Sequence, residues 1–385
     1  MSRASRAGSA RWPLAALALT QVGAGLPSAG YAYYRHRHDL ADAAVTALFA
    51  VLILNVMLTL WLCRLPGVDS RRAPVLTVAL LATVGADLLF VQDGRYLELV
   101  LASALQGCAV GAFCGLTPGV VGSVVADGDQ ASSRVIIANA SGLAAGPVLA
   151  GAVNQLLPMP YALVYLAHAA GCLALAVPIS RIPQGIAPAG RSWRSPDEPR
   201  QRQRIAELRG FLAFAMGGLI SSLTAVLLRD GFGLESNFLV GLLIAAFFTA
   251  NALIGGLVIA RLASRAQLVG TVLIALGLGL AAGALHQQNL PVMIVAIVVL
   301  GGGQGALIGA GILLAARADA MVGGNAAVAA FFFWCYAGAA TAAVVVGWAS
   351  SATTARQAFL LVMGAIVAGV IAIGLCDSGR RQPDG

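Results

Sequence analysis

Twelve long apolar runs, separated by short polar segments, dominate this sequence. Each approaches or exceeds the roughly 20 residues that a helix needs to cross about 30 Å of hydrocarbon. Backbone polar groups in lipid must be satisfied within the spanning segment, and the runs lack the alternation of barrel strands. The chain is therefore predicted to be an all-α membrane protein with twelve transmembrane helices. The runs lie at about residues 14–34, 41–63, 75–92, 97–123, 135–156, 161–179, 210–229, 237–260, 267–285, 291–316, 325–349 and 357–376.

Composition supports a chain whose main partner is the lipid bilayer. Of the 385 residues, 59% are hydrophobic and 10% are charged, which is far from the balance of a soluble domain. The first run follows Arg3, Arg6 and Arg11 and could be read as a secretory signal. Because the run continues to Tyr34 and eleven more runs follow, we interpret it as the first transmembrane helix.

The 24 basic residues are all arginines, and their distribution predicts the orientation. With the amino terminus inside the cell, 19 of them fall in cytoplasmic segments and five on the opposite side. The positive-inside rule then places both termini in the cytoplasm, and we expect a multi-pass protein of the inner (plasma) membrane. The net charge of +8 reflects this loop asymmetry, so we expect no nucleic-acid partner.

The longest hydrophilic segment, residues 180–209, divides the chain. It is rich in proline and arginine and is predicted to be a cytoplasmic linker between six-helix halves at residues 1–179 and 210–385. The fourth run of each half carries Gln-Gly and, four residues after that glycine, a second one: Gln106, Gly107 and Gly111, and Gln304, Gly305 and Gly309. The sequence therefore predicts two six-helix pseudo-repeats with a binding site near the midplane between them.

The fifth run contains the stretch GLAAGPVLAG, which is unusual inside a helix. Gly142 and Gly146 lie four residues apart and would form a flat stripe against which a neighbouring helix can pack closely. Pro147 removes one backbone hydrogen bond and bends the helix, and Gly151 lies one turn further on. Two interpretations stay open, namely packing alone, or packing combined with a fixed bend beside a cavity.

With these spans, repeats and motifs the chain resembles the major facilitator superfamily. The resemblance covers nearly its whole length. The stretch GLAAGPVLAG is similar to the helix-5 signature Gly-x-x-x-Gly-Pro, which in this family is associated with exporters. The basic positions of the family's loop 2-3 signature match at Arg64, Arg71 and Arg72. The chain departs from the family at Gly67 and Val68, where Asp-Arg is usual, and at Ser103, where proton-coupled members have arginine.

The resemblance implies a secondary transporter in which helices 1, 4, 7 and 10 line a central cavity. The polar residues of these runs are uncharged, which suits a neutral or weakly polar organic molecule. Two aromatic residues of helix 11 could stack on a ring, or serve packing and interface anchoring. The candidate cavity residues are Gln21, Gln106, Ser221, Ser222, Thr224, Gln304, Trp334 and Tyr336.

Ionisable residues inside the spans are few, which leaves the coupling ion open. His168 lies in the middle of helix 6; its side chain suits proton exchange, or it is simply packed and bonded to a neighbouring hydroxyl or carbonyl. Asp87 lies in the outer third of helix 3 and either takes part in coupling or is hydrated near the surface. Both residues are candidates for the coupling site.

Motifs of other protein classes are absent from the sequence. It has no P-loop, no H-E-x-x-H and no G-x-S-x-G, so we expect neither an enzyme nor ATP-driven transport. The six cysteines form no CxxC pair, and we expect no metal and no cofactor.

We therefore predict an exporter of small hydrophobic or amphiphilic organic compounds that acts as a monomer on a small-molecule substrate. Two alternatives stay open. The missing Asp-Arg pair and the shortage of buried carboxylates favour a transport-dead protein that acts as an enzyme, receptor or accessory factor. Uptake of a neutral solute is the other alternative, because coupling and gradients set the direction.

Overall fold

The computed structural model of the chain describes residues 3–37, 42–65, 67–92, 95–125, 127–156, 160–182, 197–234, 237–322 and 326–378. Within these ranges the chain forms twelve α-helices, two short 3-10 turns and no strands. The helices are α1 (Arg3–Arg37), α2 (Asp42–Leu62), α3 (Arg72–Val91), α4 (Tyr96–Val124), α5 (Gly128–Leu156), α6 (Pro160–Ser180), α7 (Asp197–Phe232), α8 (Asn237–Leu262), α9 (Ala266–Gln287), α10 (Leu290–Val322), α11 (Ala326–Ala352) and α12 (Ala355–Ser378).

The helices present apolar side chains outward, as a lipid environment requires. Among the described residues, eight helical stretches are long and apolar enough to cross a bilayer, and a ninth results if the two parts of α7 form one span. One of these stretches, Leu239–Gln287, covers most of α8 and all of α9, whereas the apolar part of α2 is shorter, Ala47–Leu62. Large apolar side chains on the outer surface include Leu54, Leu58, Val78, Leu97, Leu253, Leu361 and Leu375.

The connection between α6 and α7 defines one side of the bundle, which we call the linker side; the opposite side is the far side. Helix α7 begins at Asp197, well before residue 210, where the predicted linker ends. The charged residues 197–209 still favour a helix because Ala206 and Arg209 are buried against the bundle while other side chains are exposed. Residues 183–196 of the predicted linker lie outside the described residues.

Glycines of α5 let its backbone lie directly on α1. A Cβ atom added at Gly142 would strike the carbonyl oxygen of Ala18, and one added at Gly146 would lie 2.7 Å from the carbonyl oxygen of Val22 and 3.0 Å from Cα of Gly25. Any side chain at these two positions would force the helices apart. The glycine stripe therefore serves close helix packing.

The second half repeats this contact between α7 and α11. A Cβ atom at Gly338 would strike the carbonyl oxygen of Phe211, as one at Gly142 would strike that of Ala18. The two halves thus place a glycine of their fifth helix on a carbonyl of their first.

A second pair of contacts follows the same rule. A Cβ atom at Gly107 of α4 would strike the carbonyl oxygen of Leu52 on α2, and one at Gly305 of α10 would strike that of Asn251 on α8. Because these glycines hold matching places in the two halves, the atomic contacts agree with two pseudo-equivalent six-helix units.

Pro147 lies where α1, α5 and α8 meet. A Cβ atom at Gly25 of α1 would lie 2.9 Å from Cδ of Pro147, and one at Gly241 of α8 would lie 3.1 Å from the Pro147 carbonyl oxygen. Gly151, one turn further along α5, is buried. The Gly-Pro element therefore faces the opposite half as well as its own.

Contacts between the halves are made on the linker side through α5. The hydroxyl of Ser133 donates a hydrogen bond to the carbonyl oxygen of Gly256 on α8, at 3.0 Å. Closer to the helix ends, Arg317 of α10 pairs with Asp129, with 3.5 Å between Nη2 and Oδ1. In this conformation the two halves are joined on the linker side, in addition to the contact of Pro147 with Gly241 nearer the far side.

We predict that Gly142→Ala destabilises the protein, because the added methyl group would strike the Ala18 carbonyl. Overpacking of this kind typically costs about 1–3 kcal/mol, so the variant should melt at a lower temperature in detergent, measured by size-exclusion chromatography after heating. Gly279→Ala is the matched control, since a Cβ atom there meets nothing within 4 Å. Equal melting temperatures for the two variants would contradict the packing assignment.

Candidate substrate site between the two halves

Four polar side chains from four helices meet at the interface of the halves. The Gln21 amide of α1 donates to Oδ1 of Asn139 on α5, at 2.6 Å. It also lies 3.4 Å from the Tyr336 hydroxyl on α11 and 3.2 Å from Sγ of Cys114 on α4. We call Gln21, Cys114, Asn139 and Tyr336 the central cluster. The Gln21–Tyr336 contact joins the amino-terminal half to the carboxy-terminal half.

The central cluster lies near the middle of the bundle. Cys114, Asn139 and Tyr336 each stand ten or eleven residues from the linker-side end of their helix. At about 1.5 Å of rise per residue, this is about 15 Å, or half of the roughly 30 Å of hydrocarbon. A substrate bound here could be reached from either side of the membrane.

The cluster combines hydrogen-bonding atoms with an aromatic wall. The ring of Phe214 on α7 packs against Tyr336, with 5.4 Å between ring centroids. Within the described part of the chain, Oε1 of Gln21 and the hydroxyl of Thr117, one turn from Cys114, are buried without a hydrogen-bond partner. The Gln21 oxygen could accept a hydrogen bond from a bound molecule, and the Thr117 hydroxyl could accept or donate one.

Gln106 and Gln304, which hold matching places in the repeat, bind the first helix of their own half. The Gln106 amide donates to the carbonyl oxygen of Thr20 at 3.0 Å, and that of Gln304 to the carbonyl oxygen of Ala213 at 2.7 Å. Both side chains are about 1% exposed, so neither points into lipid. Oε1 of Gln304 also accepts a hydrogen bond from the Asn251 amide, at 2.6 Å.

The other predicted cavity residues are spread over α7 and α11. Ser221 is exposed two turns beyond Phe214 on the same face of α7, toward the far side. Thr224 is buried and donates to the carbonyl oxygen of Ile220 in its own helix, and the side chain of Ser222 lies outside those described. Trp334 is 42% exposed and packs edge-on against Phe211, so it does not join Tyr336 in the central cluster.

Asp87 and His168 form a buried pair between α3 and α6. Oδ2 of Asp87 lies 2.7 Å from Nδ1 of His168, and Nε2 of His168 lies 2.8 Å from the carbonyl oxygen of Leu19 on α1. The interpretation of Asp87 as a hydrated surface residue is therefore wrong, because α6 covers it and leaves it 1% exposed. His168 does contact a backbone carbonyl, as one of the two interpretations predicted, and it contacts the Asp87 carboxylate as well.

Basic residues line the linker side. Arg64 and Arg71 are exposed in the connection between α2 and α3, and Arg72 is partly buried at the start of α3. A cavity of about 740 Å³ between α7, α8 and α10 is lined by Arg202, Arg209, Arg261 and Arg317 together with Asp129 and other residues. This cavity lies at the linker-side helix ends, whereas alternating access calls for a site near the midplane, so the central cluster is the better candidate site.

Asn139 and Cys114 belong to the candidate site, although neither is among the cavity residues predicted from the sequence. Asn139 is a polar residue inside an apolar run, three residues before Gly142, and that isolated polarity was the available signal. Cys114 gave no signal, because a cysteine in an apolar helix is most often a small filler.

Comparisons with known proteins bear on this geometry. The sequence profile described as Major Facilitator Superfamily matches residues 12–342. The fold is similar to a solved structure described as a Major Facilitator Superfamily transporter, FucP, in the outward conformation, with a TM-score of 0.66. The two share 11% sequence identity over 94% of this chain and 98% of that one, so the likeness concerns the fold. No curated protein matches the sequence.

We predict that Gln304→Leu destabilises the fold, because it leaves the Ala213 carbonyl and the Asn251 amide without their buried partner. Such a loss typically costs about 1–3 kcal/mol, visible as a lower melting temperature in detergent. Ser221→Ala changes an exposed hydroxyl on α7 and serves as the control, with an expected change within about 0.5 kcal/mol. A Gln304→Leu variant as stable as this control would show that the hydrogen bonds do not support the fold.

Proposed function

The chain belongs to the major facilitator superfamily, and from this premise we propose that it is a secondary active exporter. Its proposed substrates are small hydrophobic or amphiphilic organic compounds, moved by alternating access of the two halves. We place it in the inner (plasma) membrane as a monomer with both termini in the cytoplasm, and propose that a proton gradient drives it.

The observation that carries this proposal is the polar contact between Gln21 and Tyr336. It lies near the midplane, and its two residues belong to opposite halves. A ligand that inserts between them would contact both halves at once. Binding energy could then be transmitted to the relative position of the halves, which is what alternating access requires.

The chemistry of the site supports a neutral or weakly polar substrate. The central cluster offers two amides, a phenol and a thiol beside the ring of Phe214. None of the four cluster side chains carries a charge at neutral pH, so an organic ion would find no counter-charge in the cluster. Apolar walls with a few hydrogen-bonding groups are typical of small-molecule sites.

The direction of transport is proposed from the Gly-Pro element. The resemblance associates this element with exporters, and Pro147 lies against α8 of the opposite half as well as α1 of its own. A fixed bend at this junction would bias how α5 moves along α8 when the halves rock.

A transport-dead role is the second candidate, and one observation favours it. Ser103 stands where proton-coupled relatives have arginine, and its hydroxyl is buried without a hydrogen-bond partner among the described residues. A receptor or accessory factor would need the fold but no coupling group. Reconstitution into liposomes with an imposed pH gradient and a panel of labelled hydrophobic compounds separates the two, because only a transporter concentrates a compound against its gradient.

We predict that Pro147→Ala leaves expression and folding near normal but reduces export. Alanine allows the missing backbone hydrogen bond to form and the helix to straighten, which shifts the balance between inward-open and outward-open states. Export is measured in proteoliposomes at matched protein levels. Pro118→Ala is the control, since Pro118 also lies inside a helix, α4, but near its linker-side end. Normal export by Pro147→Ala would remove the main support for the exporter assignment.

A further inference from the structure

We infer that Asp87 and His168 together bind the proton that drives this transporter, and that the proton acts on the substrate site through α1. This inference rests on the proposed function, since it names the coupling ion and its route to the central cluster. Asp87 lies on α3 and His168 on α6, so the pair sits inside the amino-terminal half and not at the interface of the halves.

The geometry fixes how many protons the pair holds. Nε2 of His168 lies 2.8 Å from the Leu19 carbonyl oxygen, which can only accept, so this nitrogen carries a hydrogen. Nδ1 lies 2.7 Å from Oδ2 of Asp87, and one further hydrogen must lie between these two atoms. The pair is then neutral overall, either as imidazolium with carboxylate or as imidazole with carboxylic acid, and the shared hydrogen is the exchangeable one.

A metal ion fits the pair less well than a proton. Cys172 completes a group of three ligand types with Asp87 and His168, and its Sγ lies 4.0 Å from Nε2 of His168. However, Asp87 and Cys172 approach different ring nitrogens, and each nitrogen already faces an oxygen atom at hydrogen-bond distance. A metal would have to displace one of these bonds.

Few other ionisable groups face the pair. Among the described side chains, α6 contributes Cys172 and, one turn toward the far side, Tyr165, whose ring stacks on Phe90 with 5.1 Å between centroids. Helix α1 contributes the Leu19 carbonyl, and α4 contributes the neutral amide of Gln106. No second charge in this part of the chain compensates the carboxylate if the shared proton leaves.

The pair is joined to the substrate site through the backbone of α1. His168 binds the carbonyl oxygen of Leu19, and Gln106 binds that of the next residue, Thr20. Gly23 makes this possible, because a Cβ atom there would lie 2.5 Å from both side chains. The residue that follows Thr20 is Gln21, whose amide reaches Tyr336 in the other half.

Release of the shared proton would therefore loosen α1. The proton passes to water, and it leaves a carboxylate on Asp87 and a single hydrogen on the imidazole ring. On Nδ1 this hydrogen keeps the strong bond to the charged carboxylate. Nε2 then faces the Leu19 carbonyl oxygen with a lone pair, and these two acceptors cannot stay at hydrogen-bond distance in a buried site, so Nε2 leaves the carbonyl. The hold on α1 beside Gln21 is lost, and the contact that joins the halves changes with it.

The test measures the conformation of the protein as a function of pH without any substrate. Spin labels on Gln92→Cys and Gln287→Cys, at the exposed far-side ends of α3 and α9, report the separation of the halves by pulsed electron spin resonance in liposomes. Single-label samples correct for native cysteines. The pH runs from about 5.5 to about 10, which covers the ordinary range of histidine and the more alkaline range in which a histidine paired with a carboxylate releases its proton.

We expect two populations of label-to-label distance, one for each arrangement of the halves. Their ratio should change with pH by up to about tenfold per pH unit, the limit for one proton. Asp87→Asn cannot lose the proton and should stay at the low-pH ratio throughout. Thr83→Val is the matched control, because Thr83 is buried one turn earlier on α3 and donates only to its own helix, at Ala79; it should keep the wild-type response. If Asp87→Asn does not fold, His168→Gln takes its place. It also removes the pair and should abolish the pH response.

A wild-type distribution that does not change with pH overturns the inference, as does a wild-type response in Asp87→Asn or His168→Gln. The proposed function is tested separately by liposome transport. If no compound is transported but Asp87→Asn abolishes the pH response, the proton site stands and the exporter assignment fails. If transport is observed but the variants keep the pH response, the exporter assignment stands and the proton site fails.

Discussion

Direct contact between the backbone of one helix and the carbonyl oxygens of another is the constraint on which this structure depends. Lipid offers no hydrophobic drive for helices to associate, so close packing has to supply it. Glycines at 107, 142, 305 and 338 lie on carbonyl oxygens where any side chain would collide. The same rule in both halves produces two similar six-helix units, and the proposed function depends on how these units move against each other.

Close packing also exposes backbone carbonyls to side chains of other helices. Leu19 and Thr20 of α1 present their carbonyl oxygens to His168 and Gln106, and Ala213 of α7 presents its own to Gln304. In each half the first helix is thus held by polar side chains through its backbone. Only the amino-terminal half places a carboxylate behind this hold, among the residues that the structure describes. A proton could therefore act on one half and change its contact with the other.

Much of the fold could be predicted from the sequence, because span length and backbone satisfaction leave few alternatives. Twelve apolar runs became twelve helices, and the matching Gln-Gly pairs became matching hydrogen bonds. The pairing of Asp87 with His168 could not be predicted, since the two residues are 81 positions apart and only packing of α3 on α6 unites them. Trp334 and Tyr336 differ by two residues in one helix, so they face different directions, and no apolar periodicity distinguished the buried one.

Locking the linker side tests the central claim, alternating access, most directly. A Cβ atom at Gly256 would lie 3.4 Å from Oγ of Ser133, so Ser133→Cys combined with Gly256→Cys places two thiols within reach of a disulfide between α5 and α8. The same Cβ atom would lie 2.8 Å from the Ile137 side chain, which has to shift, and the Gly256→Cys single variant measures the effect of this shift. Transport in proteoliposomes is measured before and after oxidation, with each single variant as control. The account predicts that oxidation stops transport by the double variant alone and that a reductant restores it. Equal transport by the oxidised and reduced double variant, with the disulfide confirmed by mass spectrometry, would contradict alternating access of the two halves.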